Sequence, residues 1–317
     1  MGQVRPRAFD RPVRSVSVCC FGEALVDLLP DRRGRLRDCA HFEVHSGGAP
    51  ANVAVGLARL GAPVSFVGVV GEDEFGHLLA RKLAEAGIDV RLRFSTAAPT
   101  GVWFVALDDK GERSFFAPTG SASADKLIDE SDFARVPAET RVLHCGSSSH
   151  VLPRAGAALR DAVRRARQRG MTVSFDPNAR LHLWRDPREL RSLCEDVLPH
   201  CDIVKLSQDE LEPCLGVRDP ARAFELLRGV KLACITLGER GAMARRGTEF
   251  AQVPAPEVRV VDTTGAGDGF VAGLLASDPL EGNLEDALRF ACAVGSRVCT
   301  RLGAVAGLPT RAEATSL

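Results

Sequence analysis

The stretch VRVVDTTGAGDGFVAGLL, residues 258–275, decides how the rest of the chain is interpreted. Its pattern predicts a short apolar strand over residues 258–261, a turn of small residues, and then an apolar helix. Gly265, Ala266 and Gly267 carry almost no side chain at the point where that helix begins. The free N–H groups of the first helical turn, together with the positive end of the helix dipole, favour binding of an anionic oxygen there.

Asp268 follows this turn directly and adds a carboxylate beside the same point. Phosphoryl transfer to a hydroxyl needs such a pair, because the base accepts the hydroxyl proton while the N–H groups stabilise charge on the migrating oxygens. An alternative is a flexible turn in which Asp268 is an ordinary residue at a helix start. A dinucleotide-binding fingerprint does not fit, because Phe270 occupies its third glycine position.

The same stretch, with Asp-Thr-Thr-Gly-Ala-Gly-Asp-Gly-Phe and then Ala-Gly, resembles the C-terminal signature of the ribokinase, or PfkB-type, carbohydrate kinase family. About 200 residues earlier, GGAPANVAVGLARLG at residues 47–61, followed by Gly71, resembles the N-terminal signature of that family. The two signatures stand in the family's order, and the resemblance covers roughly residues 16–310.

The composition argues against several other classes of protein. Lys+Arg and Asp+Glu number 41 each in the 317 residues, so a general nucleic-acid-binding surface is not expected. No run of 18 apolar residues could span a membrane. Residues 1–14 contain four arginines and no apolar signal segment, which predicts a basic N-terminal tail and a cytoplasmic protein. The ten cysteines include no C-x-x-C pair and are expected to be mostly reduced core residues.

Strands alternate with helices along most of the chain, which predicts a mostly parallel sheet covered by helices on both faces. Residues 100–116 depart from this pattern, because they predict two strands joined by a turn. The family resemblance implies a ribokinase-like, three-layer α/β/α fold with a small β-sheet lid formed by segments at about 29–46 and 94–121. The kinase domain would then comprise residues 15–312.

Ligands of such a sheet bind at the carboxyl ends of its strands, where we expect Asp27, Asp176, Lys205, Thr236 and Asp268. Asp27 either forms a salt bridge or begins a loop, or it accepts hydrogen bonds from sugar hydroxyls. Near the start of the predicted helix, Gly47 and Gly48 let a ligand approach the backbone, and Asn52 offers both a donor and an acceptor. The resemblance implies three further substrate-binding residues, which are Phe104, Arg113 and Arg180.

Lys205 ends a predicted buried strand, where a compact cation suits a nucleotide phosphate. The resemblance implies an ATP site that also includes Ser207, Thr236, Gly238, Gly241 and Gly267. Ser207 stands where the family usually has Asn. The resemblance further implies that Glu210 binds Mg²⁺ through water, and that a monovalent cation such as K⁺ could lie near Asp262, Thr264, Arg301 and Gly303.

The resemblance implies an ATP-dependent sugar kinase with Asp268 as base and residues 265–267 as the anion hole. Its motifs are most similar to those of fructokinases, which phosphorylate D-fructose at O6. One feature departs from them, because FFAPTG at residues 115–120 lacks the usual Tyr-Arg pair of the lid. The loss of that arginine weakens the case for an acidic sugar such as 2-keto-3-deoxygluconate more than the case for a neutral hexose. 2-Keto-3-deoxygluconate stays an alternative substrate, as does a nucleoside, which could stack on Trp103, Phe104, Phe115 and Phe116. A non-catalytic sugar or nucleotide sensor stays an alternative function. The expected partners are a sugar and ATP, and a homodimer through the lid is one further option.

Overall fold

Two β-sheets organise the part of the chain that the computed structural model describes, which is residues 17–32, 34–107, 113–117 and 122–316. The strands are, in chain order, β1 (Val18–Phe21), β2 (Leu25–Pro30), β3 (Phe42–Gly47), β4 (Val64–Gly71), β5 (Asp89–Ser95), β6 (Val102–Leu107), β7 (Arg113–Phe116), β8 (Val142–Cys145), β9 (Thr172–Phe175), β10 (Ile203–Ser207), β11 (Leu232–Thr236), β12 (Ala242–Arg246) and β13 (Glu249–Val253). The helices are α1 (Ala49–Arg59), α2 (Glu74–Glu85), α3 (Pro153–Gln168), α4 (Pro187–Val197), α5 (Leu211–Leu215), α6 (Pro220–Leu226), α7 (Ala266–Leu275), α8 (Leu284–Val298) and α9 (Arg311–Ala314).

The larger sheet has nine strands in the order β13-β12-β11-β10-β9-β8-β1-β4-β5. Within this sheet, the seven neighbouring strands β11, β10, β9, β8, β1, β4 and β5 pair in parallel. Strands β12 and β13 add an antiparallel edge. Helices cover both faces. One hydrophobic core contains residues of α1, α2, α7 and α8, and the other contains residues of α3 to α6. The predicted three-layer arrangement is therefore confirmed.

The alternation of side chains along β1 shows how the sheet divides these two cores. Val18 and Cys20 belong to the first core, whereas Cys19 and Phe21 belong to the second. Both sets are buried because a mostly parallel sheet is covered on each face, so its strands are apolar throughout rather than alternating with polar residues.

The smaller sheet has the strand order β3-β2-β6-β7. Strand β2 runs antiparallel to β3 and parallel to β6, and β6 and β7 form an antiparallel pair. The predicted strand pair within residues 100–116 is thereby confirmed, while the turn between its strands lies outside the described residues. The limits of the lid segments, about 29–46 and 94–121, stay a prediction.

The prediction that Asp27 ends a strand of the large sheet is wrong. Strand β1 ends at Phe21, the chain turns at Gly22 with φ of +155°, and β2 then begins in the smaller sheet. Asp27 lies in the middle of β2, opposite His45 and Trp103. The apolar run conceals this break, since the residues on either side of the turn are all buried.

The prediction of a strand over residues 258–261 is also wrong. The segment follows Pro254 and Pro256 and has no regular secondary structure. Proline removes a backbone donor that a strand ladder would use. Val260 and Val261 are 59% and 50% exposed, and the N–H of Val261 donates to the carbonyl of Cys299 at 2.8 Å. This apolar segment therefore borders an open cleft.

Two further sequence predictions concern the cysteines and membrane-spanning segments. All ten cysteines are free and eight are buried, as expected for reduced core residues. Among the described residues, no helix is both long and apolar enough to cross a bilayer. The predicted basic tail at 1–14 lies outside the described residues.

Candidate active site

One cleft of about 1290 Å³ collects most of the predicted site residues. Its walls come from the smaller sheet, from the starts of α1 and α7, and from the loops after β9, β10 and β11. We call the part lined by Asp27, Asn52 and Trp103 the sugar side, and the part lined by residues 236–241 and 255–258 the nucleotide side. Asp268 also lines this cleft.

The start of α7 forms the turn that the sequence predicts. Gly265 precedes the helix with φ of +77°, and a Cβ at this position would lie 2.7 Å from that of Ala304. Glycine is therefore required both for the backbone angle and for the close contact. The first helical hydrogen bond runs from the N–H of Gly269 to the carbonyl of Gly265 at 2.8 Å. The N–H groups of Gly267 and Asp268 precede it and are suited to an anion in the cleft.

Asp268 is 6% exposed and is held by two amide side chains. Asn52 donates from Nδ2 to Oδ2 at 2.8 Å, and Asn178 donates from Nδ2 to Oδ1 at 3.2 Å. Burial raises the pKa of Asp268, and the hydrogen bond from Asn52 and the charge of Arg180 partly oppose that increase. The carboxylate is thus fixed in direction and made more basic than an exposed aspartate, which suits a general base.

Lys205 is a buried cation of the site, with 6% of its surface exposed. Its ammonium lies 3.0 Å from Oδ2 of Asp176 and 3.9 Å from Oε2 of Glu210. Burial opposes the charge of Lys205, but the two carboxylates outweigh it and raise its pKa. Burial also raises the pKa of Asp176 to about 6, although Lys205 acts against that shift. A Cβ at Gly267 would lie 3.1 Å from the Lys205 nitrogen, so this cation adjoins the predicted anion hole.

Glu210 joins two loops through its carboxylate. Its Oε2 accepts a hydrogen bond from the N–H of Ser207, and its Oε1 accepts one from the N–H of Ala179, both at 2.7 Å. Burial acts to raise the pKa of Glu210, but Lys205 and these two N–H groups outweigh burial and lower it. Since each oxygen keeps a further lone pair, the residue fits a role in binding the water shell of Mg²⁺.

The loop after β11 shapes the nucleotide side. Gly238 and Gly241 have φ of +62° and +91°, and a Cβ at Gly241 would lie 2.0 Å from the carbonyl oxygen of Val253. Thr236, Gly238 and Gly241 line the cleft together with Lys205, Ser207 and Gly267. All the residues that the sequence assigns to ATP therefore meet in one cavity. The lining of this cavity also includes Val258, Val260, Cys292 and Cys299.

The glycine pair on the sugar side makes room for two acidic residues. A Cβ at Gly47 would lie 2.1 Å from Oδ2 of Asp27, and a Cβ at Gly48 would lie 2.4 Å from the carbonyl oxygen of Glu23. Gly48 also has φ of +103°, so it favours glycine for its backbone as well. Asp27 and Gly48 line the cleft, as predicted from the sequence, whereas Gly47 is not among the residues that line it.

Three predicted substrate residues have different outcomes. Arg180 is exposed and lines the cleft. Phe104 lies outside the cleft: its ring contacts those of Phe42 and Phe116, at centroid distances of 5.2 and 6.2 Å, while its neighbour Trp103 lines the cleft. The side chains of adjacent strand residues point to opposite faces, which explains why only one of the two aromatic residues reaches the site. Arg113 begins β7, and the position of its side chain lies outside the described part of the structure.

Three of the residues predicted to surround a monovalent cation lie in two loops that hydrogen bonds of Asp262 join. Asp262 accepts hydrogen bonds at Oδ1 from the N–H and the hydroxyl of Thr264, at 2.9 and 2.8 Å. Its Oδ2 accepts a hydrogen bond from the N–H of Gly303 at 2.8 Å. The carbonyl oxygen of Ala304 would lie 2.8 Å from a Cβ at Gly265, so a backbone oxygen approaches the start of α7. Such oxygen atoms suit a hard cation, whereas Arg301 is exposed.

Sequence reasoning missed Lys126 and left three other residues of the site, Asn178, Glu23 and Trp103, without a definite role. Asn178 has φ of +48° and binds Asp268, although its Asp-Pro-Asn context also fits an ordinary turn. Glu23, Lys126 and Trp103 line the sugar side. The best available signal was the scarcity of lysine, because Lys126 is one of only five in the chain.

The comparisons with known proteins agree on one kind of enzyme. The family model described as pfkB family carbohydrate kinase matches residues 16–311. Fructokinase-2 of Solanum lycopersicum is 37% identical over 313 residues, which cover 95% of each chain. Fructokinase of Xylella fastidiosa, solved with bound ATP, has a TM-score of 0.84 at 33% identity and covers 95% of this chain and 98% of that one. A fructokinase double mutant of Vibrio cholerae, solved with fructose, ADP and potassium ion, has a TM-score of 0.83 at 31% identity and covers 96% and 99% of the chains.

Proposed function

The chain belongs to the pfkB family of carbohydrate kinases, and from that premise we propose that it transfers the γ-phosphoryl group of ATP to O6 of D-fructose. The observation that carries this proposal is the position of Asp268. A buried carboxylate with a raised pKa lies directly at the start of α7, in the cleft that contains both the sugar side and the nucleotide side, and it bonds to Asn52 of the sugar side. A base and an anion site next to each other are the two components that transfer to a hydroxyl requires.

In this mechanism Asp268 accepts the proton of the sugar hydroxyl as its oxygen attacks the γ-phosphorus. Asn52 and Asn178 keep the carboxylate in one orientation, since each binds a different oxygen of Asp268. The bond between the γ-phosphorus and the bridging oxygen breaks, and ADP leaves. The N–H groups of Gly267 and Asp268 stabilise the charge that develops on the phosphoryl oxygens.

Lys205 binds ATP phosphate oxygens beside this anion hole. Asp176 and Glu210 keep it charged and fix its ammonium, so no reorganisation is needed when ATP enters. Glu210 would bind waters of the Mg²⁺ ion that accompanies ATP, and Mg²⁺ supplies charge neutralisation at the phosphates. Asp262, Thr264 and Gly303 would support a K⁺ ion next to the start of α7.

Charge on the sugar side favours a neutral hexose over 2-keto-3-deoxygluconate. Asp27, Glu23 and Asp268 all line this part of the cleft. An acidic sugar needs cations for its carboxylate, ideally an arginine that binds it with two hydrogen bonds. Arg180 and Lys126 line the cleft, but Asp125 pairs with Lys126, and FFAPTG at residues 115–120 offers no second arginine. Trp103 lines the sugar side and Phe104 does not line the cleft, so the nucleoside alternative keeps only part of its expected aromatic surface.

We also propose a homodimer through the smaller sheet. Val44 and Phe116 are 41% and 57% exposed on the side of this sheet where Phe42, Phe104 and Phe116 form an aromatic cluster. An apolar surface of this kind is typical of a protein interface. Sedimentation velocity on the parent and a Phe116→Glu variant tests the assembly.

The cytoplasmic location stays a sequence-based prediction.

A coupled assay for ADP formation tests the proposed function. D-Fructose, 2-keto-3-deoxygluconate, D-ribose, inositol and adenosine are compared by kcat/KM, with Asp268→Asn as the background control. The proposal predicts the highest value for fructose and a product phosphorylated at O6. A higher value for the acidic sugar or for adenosine contradicts it, and ATP binding without turnover of any substrate would identify a sensor.

A further inference from the structure

A second cluster of charged side chains lies buried beside the sugar side, away from the groups that handle phosphate. Glu23 follows β1, Asp125 and Lys126 lie in a short helical turn over residues 124–127, and His150 lies in another over residues 148–150. The exposed fractions of these four residues are 2%, 1%, 3% and 1%. Burial of so many ionisable groups costs free energy unless they have partners.

Three atoms of this cluster lack a hydrogen bond of normal geometry among the described residues, although Ser149 is close enough to lower the pKa of Glu23 and the backbone of Gly146 is close enough to raise that of His150. The three atoms are Oε2 of Glu23, Oδ1 of Asp125 and Nε2 of His150. Lys126 donates to the other oxygen of Asp125, and Ser149 and His150 share a hydrogen bond through Nδ1 at 3.1 Å. Buried polar atoms in proteins nearly always find a partner, so this concentration indicates a bound molecule or ordered water.

Two members of the cluster reach the cleft. Glu23 and Lys126 line it, whereas Asp125 and His150 do not. Glu23 also accepts a hydrogen bond from the N–H of Ala49 at 3.3 Å, in the first turn of α1. Asn52 ends the same turn and binds Asp268. Glu23 and Asp268 therefore bond to the first and the last residue of the same helical turn, and both line the cleft.

We propose that Glu23 and Lys126 form a second recognition site for the sugar, which binds the hydroxyl groups at the end opposite O6. For fructose, those groups are the hydroxyl on C1 and the anomeric hydroxyl on C2. The ammonium of Lys126 donates to one hydroxyl oxygen, and the carboxylate of Glu23 forms a hydrogen bond with a hydroxyl group. This assignment rests on the proposed fructokinase activity and names the residues that select the sugar.

The charge balance of the cluster favours hydroxyl groups over a carboxylate. Asp125 compensates the charge of Lys126 directly. Burial raises the pKa of Glu23, which Lys126 partly opposes. Burial also lowers the pKa of His150 to about 3, so this ring is neutral at physiological pH. A cluster without excess positive charge would recognise a neutral polyol and would not attract an acidic sugar.

Sugar analogues test the site on the unmodified protein. 1-Deoxy-D-fructose lacks the hydroxyl on C1, and 2,5-anhydro-D-mannitol lacks the anomeric hydroxyl. Loss of a hydrogen bond to a buried charged group is expected to lower kcat/KM by about 10- to 100-fold for at least one of them. Equal kcat/KM for fructose and both analogues contradicts the proposal.

A variant then connects that loss to Lys126. Lys126→Met, with an apolar side chain of similar length, should raise KM for fructose about 10- to 100-fold and leave KM for ATP within about 2-fold. For the analogue that lacks the recognised hydroxyl, the same substitution should change kcat/KM by less than about 3-fold. Lys231→Met is the matched control, because Lys231 is exposed and precedes β11 at the end of the sheet remote from the cleft. An equal loss on all three sugars would assign Lys126 a purely structural role and overturn the proposal.

Two further experiments keep the proposal testable if Lys126→Met does not fold, or if the protein is not a fructokinase. Asp125→Asn/Lys126→Met removes the ion pair as a unit and avoids an unpaired buried carboxylate. Calorimetric titration of fructose without ATP measures the sugar site independently of turnover. If the parent protein binds fructose and the double variant binds it at least about 10-fold more weakly, the subsite stands even where catalysis fails. Equal affinities, or no fructose binding by the parent protein, contradict it.

Discussion

Asn52 and Asp268 are 216 residues apart in the chain, yet Nδ2 of Asn52 donates to Oδ2 of Asp268 at 2.8 Å. This hydrogen bond joins the starts of α1 and α7, the two helices that carry the N-terminal and C-terminal signature motifs. In the proposed mechanism, this contact between the motifs orients the carboxylate that accepts the hydroxyl proton.

Replacing Asn52 should change how the reaction depends on pH. Asp268 must be ionised to act as a base, so kcat/KM falls as the pH drops through its raised pKa. The hydrogen bond from Asn52 favours the ionised form, and Asn52→Ala should therefore move the acidic limb to higher pH. Profiles of kcat/KM from about pH 4.5 to 8.5 measure the shift. An acidic limb that stays in place, or moves to lower pH, would show that this bond does not tune Asp268.

Gly267→Val should damage catalysis more than ATP binding. Its Cβ would lie 3.1 Å from the Lys205 nitrogen and would crowd the anion hole. Loss of a hydrogen bond to charge that develops in the transition state typically lowers kcat about 10²- to 10³-fold, while the affinity for ATP in the ground state changes little. Gly229→Ala is the control, since a Cβ there meets nothing within 4 Å. If only the Kd of ATP rises, measured by calorimetry, the turn holds nucleotide in the ground state and is not an anion hole.

Lys205→Met should destabilise the fold because it leaves two neighbouring carboxylates without their cation. Removing one partner of a buried ion pair costs about 3–5 kcal/mol of unfolding free energy. The loss should shrink as the pH falls, because Asp176, whose pKa is already raised to about 6, then binds a proton more readily. Urea unfolding of Lys205→Met, Asp176→Asn and the double variant measures the coupling. Additive losses would contradict a connected network.

Gly47→Ala should weaken sugar binding with little effect on stability. The new Cβ would lie 2.1 Å from Oδ2 of Asp27, and that short side chain can rotate away. We expect KM for fructose to rise about 10- to 100-fold, the typical effect of losing a hydrogen bond to a charged group, with KM for ATP nearly unchanged. Asp27→Asn should reproduce the same pattern. A parental KM for fructose in both variants would remove Asp27 from the sugar site.

Much of the fold could be predicted because its signals are local. Alternating apolar strands and helices predict the layered sheet, and the small residues 265–267 predict the start of α7. The break between β1 and β2 could not be read in the same way, since residues 18–26 are buried on both sides of Gly22. A continuous apolar run does not reveal that it passes from one sheet into another.

Site residues could be predicted where their chemistry is unusual for their position in the sequence. They were harder to predict where tertiary contacts decide which side chain reaches the cleft. Asp268, Asn52 and Lys205 are polar residues in apolar surroundings, and all three meet in one cleft. Trp103 and Phe104 are adjacent aromatic residues, and only the register of β6 against β2 decides which one faces the sugar. Lys126 reaches the cleft from a turn whose position depends on distant packing, so no local pattern identified it.

The central claim is that Asp268 acts as the base of a sugar kinase, and single-turnover phosphorylation of fructose by Asp268→Asn tests it most directly. Asparagine keeps the size of the side chain but cannot accept the hydroxyl proton. Rapid quench of enzyme-bound, γ-labelled ATP with saturating fructose should show a transfer rate about 10²- to 10⁴-fold below that of the parent protein, with ATP affinity and unfolding nearly unchanged. A transfer rate equal to that of the parent protein would contradict the account.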